Sequence, residues 1–176
     1  MRYLAPVIGI LLGAWVATPA HAAEAKAFNL ALFNPVQIYD ETTPVNGLRL
    51  NVLYGKNADF SGLDVGVVNQ VNGAFTGLQH GLVGIVRGGE FVGWQDNGIA
   101  NYVDGQARGL QWGLFNYAET MIGVQAGAVN VSRNMNGVAL ALVNSTENLR
   151  GLQIGLINIA SRLKGHPVLP IVNFSF

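Results

Sequence analysis

With 176 residues the chain has room for a single domain. Its ten Lys and Arg match its ten Asp and Glu, and charged residues make up only 11% of it, against roughly 25% in ordinary soluble domains, which excludes a strongly basic nucleic-acid-binding face. A hydrophobic content of 50%, 23 glycines and no cysteine exclude disorder, disulfides and a lipid-modified cysteine anchor, and fit extended, closely stacked backbone or a protein with one face in lipid.

Taken in chain order, residues 1–22 read as a cleaved signal peptide. Arg2 supplies a short positive start, "LAPVIGILLGAWVA" the apolar stretch, and "AHA" at Ala20–Ala22 the small-residue cleavage site. The apolar run is too short for a spanning helix. Export through the inner membrane follows, with the outer membrane, the cell surface or the periplasm as destination. Removal of Arg2 with the leader leaves nine basic against ten acidic residues.

Residues 23–46 form an N-terminal cap segment, in which "LALFN" at Leu30–Asn34 is a degenerate first repeat. Tandem repeats occupy residues 47–165. Each opens on a glycine, at Gly47, Gly62, Gly77, Gly93, Gly109, Gly123, Gly137 and Gly151, in steps of 15, 15, 16, 16, 14, 14 and 14 residues. A period this constant is the mark of a repeat architecture, and atypical first and last units are its caps.

Within a unit the apolar residues alternate. Leu152, Ile154 and Leu156 point one way, and Gln153, Gly155 and Ile157 the other, which is the period of a strand. Turn dipeptides follow, at Asn72-Gly73, Gly88-Gly89 and Asp104-Gly105. Two architectures use such a unit. In a short parallel β-solenoid each repeat is one coil, about 4.8 Å above the last; leucine and valine ladders fill the inside, and Asn69, Asn101, Asn116, Asn130, Asn144 and Asn158 line up at one corner, where stacked amides bond to the turn backbone and to each other. The alternative is a ten-stranded antiparallel outer-membrane β-barrel with one repeat per strand. Two-residue hairpin loops combined with a 14-residue step would put equivalent residues of neighbouring strands on opposite faces, and outer-membrane barrels alternate short turns with long loops. The solenoid is preferred.

Residues 166–176 form a C-terminal cap strand. Its alternation and terminal aromatic suit the assembly signal of a barrel, or the capping of a solenoid's open end by Phe174 and Phe176.

By now the chain resembles the bacterial surface-repeat proteins, an uncharacterised exported family. The residues that carry the resemblance are "FNPVQIYDE" at Phe33–Glu41, "GLRLNVLYGKN" from Gly47, the recurring "GLQ.GL.N" and the closing "LPIVNFSF". The resemblance implies a cell-envelope location and no reaction, ligand or catalytic residue. A second, repeat-level similarity is to curli subunits, in the spacing Gln111-Gly113-Asn116-Ala118 and Gln153-Gly155-Asn158-Ala160; it supports stacked rungs.

Candidate chemistry is sparse. His80 replaces an apolar position, and His166 sits in the break before Pro167. Glu119, Arg133 and Glu147 are spaced to stack as alternating charges along one corner, each pair contributing about 0–1 kcal/mol. Trp94, Trp112, Phe115 and Tyr117 cluster in the central units, as core filling, as stacking platforms for a sugar or another chain on a solenoid face, or at a lipid interface on a barrel. No catalytic set, cofactor or metal site is expected. The expectation is a non-enzymatic structural or interaction protein of the cell envelope acting through a repeat face, with a small outer-membrane barrel in a structural or narrow-pore role as the alternative.

Overall fold

A Cβ on the leading glycine of a repeat would collide with the rung below. At Gly62, Gly77, Gly93, Gly109, Gly137 and Gly151 it would lie 1.9–2.0 Å from the carbonyl oxygen of the preceding repeat's glycine, and these residues hold φ between 122° and 141°. Only glycine tolerates that backbone and that approach, so the glycine column fixes the register of the whole array.

The computed structural model describes residues 24–165 and 167–176; the leader expected at 1–22 and His166 lie outside them. The described chain is all-β. Its strands are β1 (Lys26–Phe33), β2 (Val36–Gln37), β3 (Val45–Asn57), β4 (Phe60–Val71), β5 (Phe75–Arg87), β6 (Phe91–Trp112), β7 (Phe115–Ala126), β8 (Val129–Leu140), β9 (Val143–Ala160) and β10 (Val168–Ser175). They form one sheet in the order β10-β9-β8-β7-β6-β5-β4-β3-β1-β2. From β1 through β9 the principal neighbours are parallel and nearly in register, with Gly47 beside Gly62, Gly62 beside Gly77 and Gly123 beside Gly137. The fold is therefore a parallel β-solenoid of about nine turns at roughly 15-residue spacing. The antiparallel barrel is not formed: only β1–β2 and β9–β10, at the two ends, run antiparallel.

The interior is where the sequence misleads. The leucine and valine ladders expected inside point out, and the glutamines two residues after each glycine point in. Gln79, Gln95, Gln111, Gln125 and Gln153 are buried, as are all six corner asparagines. Apolar filling comes from two other columns. Two residues before the glycine stand Val45, Phe60, Phe75, Phe91, Ala107, Met121 and Met135; facing them are Val71, Val86, Val103 and Ala118. The rings of Phe60, Phe75 and Phe91 stack at centroid distances of 5.2 and 5.1 Å. A period of two is satisfied by either face inward, and here the glutamines win because stacking lets each amide find its partner one rung away.

The ends are closed by antiparallel additions. The loop after β2 is pinned by Asp40, whose carboxylate accepts from the Thr42 N–H and hydroxyl at 2.8 and 2.7 Å; the backbone N–H chiefly holds its pKa below the ordinary range. At the far end, Asn173 on β10 is buried and donates to Gln153 at 3.4 Å, whereas Phe174 and Phe176 are 61% and 96% exposed. Asn173 covers the last interior rung; the two phenylalanines do not.

Candidate functional site

Two amide ladders run through the interior in opposite senses. In the glutamine ladder each side chain donates toward the N-terminus: Gln125 to Gln111 at 2.8 Å, Gln111 to Gln95 at 2.8 Å, Gln95 to Gln79 at 3.0 Å and Gln79 to Asp64 at 3.0 Å. The row ends on a carboxylate whose charge is matched by Arg49, with Nε and Nη2 at 2.8 and 2.6 Å. Both residues are fully buried, and the guanidinium lies over the Phe60 ring.

The asparagine ladder donates the other way, from Asn101 to Asn116, Asn130, Asn144 and Asn158 in turn at 2.7–3.0 Å. Its second function is at the corner. The same amides donate to the backbone carbonyls of Trp112, Ala126, Leu140 and Ile154 at 2.8–3.2 Å. Where the column has a glycine instead, an asparagine four residues after a leading glycine fills the gap. A Cβ on Gly55 would strike the Asn51 amide, and one on Gly84 the Asn97 amide; those two donate to Asn69 and Asn101 at 2.7 Å. The sequence did contain this signal, since asparagine replaces glycine at that position only in these two repeats.

All six predicted asparagines are thus inside, bonded to protein, and present no surface to a ligand. What does face outward is apolar. Five residues after the glycine, or six where a residue is inserted, Val67, Leu82, Ile99, Leu114, Leu142 and Leu156 stand in a row, from 38% to 68% exposed. The next outward residues, Val68, Val83, Ala100, Phe115, Val129, Val143 and Ile157, begin the second face. Two consecutive outward residues break the alternation, so the chain turns there, and the apolar surface continues around the turn. Monomers rarely expose continuous apolar patches beyond a few hundred Å².

Charge is gathered on the opposite edge. Asp59 and Glu90 fall in the connections between strands, and Arg87, Asp104, Arg108, Glu119, Arg133, Glu147 and Arg150 lie within β5 to β9, near the passage from one coil to the next. Arg133 pairs with Glu119 and, at 3.6 Å, with Glu147, which also meets Arg162 at 3.0 Å. Besides the buried Arg49–Asp64 pair, Asp96 lies elsewhere, on the first apolar face, where its carboxylate is 3.1 Å from His80 Nδ1, and so does Lys56, in the column of Tyr102 on the second.

In the central repeats three aromatic side chains stand between the two zones. Trp94 stands in the outward column nearest the charged edge on one face; Tyr102 and Tyr117, stacked at 5.0 Å, occupy the equivalent column on the other. Trp112 and Phe115 lie nearer the corner, and Trp112 flanks a cleft of about 510 Å³ where the ladder drops to Ala126, Gly127 and Ala128. Among the described residues no three His, Asp or Glu side chains come together as a metal site, and no carboxylate pair faces a common cavity with a nucleophile. No helix among them is long and apolar enough to cross a membrane. No protein-family model, no curated protein and no solved structure matches the chain.

Proposed function

We propose that the protein is a non-enzymatic structural or interaction protein of the bacterial cell envelope, exported and working through the outer face of its repeats. One observation carries this reading: the side chains that ordinary folding would hide are outside, in continuous columns from Val67 to Leu156, while the amides that ordinary folding would solvate are inside. A surface of that kind is costly in water and is retained when something covers it. The leader-like segment at 1–22 and the resemblance to surface-repeat proteins support the envelope as the place where it is covered.

Cell fractionation tests the reading. The protein is expected with the envelope, and Leu82→Lys, Leu114→Lys and Leu142→Lys together should move it to the soluble fraction while Arg133→Gln should not. An unchanged distribution of the triple variant contradicts a function through the repeat face.

A further inference from the structure

We infer that the apolar corner is immersed in one leaflet of a lipid bilayer, with the solenoid axis lying in the membrane plane and the charged edge in water. This deepens the proposed function by naming what covers the repeat face.

The shape of the apolar surface selects lipid over a second protein sheet. It is convex, passing from Trp112, Leu140 and Ile154 on one face, in a column broken by the His80–Asp96 pair, over the Leu82–Leu114–Leu142 row to Phe115, Val129 and Val143 on the other. A flat partner would cover one of these faces and leave the other wet. A fluid medium covers both.

Much of the backbone at the corner is satisfied within the protein. The N–H groups of Val129, Val143 and Ile157 donate to the carbonyls of Leu114, Ala128 and Leu142 at 2.9–3.1 Å, one rung to the next. The carbonyls of Trp112, Ala126, Leu140 and Ile154 receive the asparagine amides from inside. Immersion demands such internal satisfaction, because hydrocarbon offers backbone groups no partner. The asparagine ladder thus supplies from within what solvent supplies to an ordinary turn.

Dimensions and boundary agree. From the Trp94 column to the corner row is about five residues, at most about 17 Å at roughly 3.3 Å per residue in a strand, comparable with the ~15 Å of one leaflet's share of a ~30 Å hydrocarbon core. Trp94 on one face and Tyr102 and Tyr117 on the other stand at the height where amphipathic rings favour the headgroup region. The edge above them carries both signs of charge in alternation, as in Glu119, Arg133 and Glu147. Attachment is therefore apolar rather than electrostatic, and does not depend on anionic lipid.

Flotation of the folded protein with vesicles tests this. The expected result is co-flotation with pure phosphatidylcholine vesicles and with vesicles of phosphatidylethanolamine and phosphatidylglycerol alike, persisting at high salt. Leu82→Lys, Leu114→Lys and Leu142→Lys together should lower the bound fraction by more than about a hundredfold, given the transfer free energy of three leucines. Circular dichroism establishes that the variant keeps its strands, and Ala128→Lys serves as a single milder variant should the triple one fail to fold. Failure of the wild type to float overturns the inference, as does flotation that the lysines do not reduce. Self-association in vesicle-free solution that the lysines abolish also overturns it, placing a second copy on the corner; the repeat-face function would then stand and only its lipid partner would fall.

Discussion

Asp64 receives the end of a row of amides, all donating toward it, and Arg49 supplies the balancing charge at 2.6–2.8 Å in a fully buried site. Aligned amides polarise one another, and the row gains from ending on an anion. Removing one partner of such a buried pair leaves an uncompensated charge. Asp64→Asn is expected to cost about 3–5 kcal/mol, read as a lower denaturant midpoint, whereas replacing both Arg49 and Asp64 by apolar residues of similar volume should cost much less. Asn130 is a link in the other ladder, receiving from Asn116 and donating to Asn144, Gln125 and Leu140. Asn130→Ala strands these groups and should destabilise by about 1–3 kcal/mol for each left unpaired. Arg133→Ala, at an exposed charged column three residues away, should stay within about 0.5 kcal/mol; equal losses in the two variants would contradict the ladder's role.

At the scale of the coil, each repeat contacts the repeats on either side, so stability is close to a sum over rungs and interfaces. Deleting Gly137–Arg150 removes one rung and should leave the protein folded. The deletion also takes out Ala139, the residue that interrupts the glutamine ladder, and brings Gln125 against Gln153 and Asn130 against Asn158. A cooperative unfolding transition with a modestly lower midpoint is expected; an insoluble, non-cooperative product would contradict the stack. Much of this element was legible in the sequence. The glycine spacing gave the rung, its uniformity gave the parallel stack, and Asn72-Gly73 and Gly88-Gly89 gave the edge, whereas Asp104-Gly105, expected as a turn, is a register shift inside β6. What period two cannot say is which parity faces inward. Hydrophobicity alone puts Leu152 and Leu156 inside and Gln153 outside, and the structure does the reverse, because the satisfaction of Gln153 and its equivalents comes from neighbouring coils that no single repeat displays. For the same reason the sequence points to Phe174 and Phe176 as the cover of the interior and not to Asn173: a buried amide at a cap makes sense only against the ladder it completes.

For the whole molecule, that reversal sets the character of the surface. An interior that sets two hydrogen-bonded amide ladders beside its apolar columns carries an apolar surface around the corner, with most of the charge at the opposite edge. The corner was hidden in the sequence because its residues come from successive repeats, one or two each, and become continuous only when stacked. The most direct check is nuclear magnetic resonance of the unsubstituted protein with a water-soluble paramagnetic probe. The side-chain amides of Gln95, Gln111, Gln125, Asn116 and Asn130 should exchange slowly with water and feel no broadening, while the methyl groups of Leu82, Leu114, Leu142 and Leu156 broaden strongly in lipid-free solution. Protected leucine methyls with exchanging, broadened amides would contradict the account.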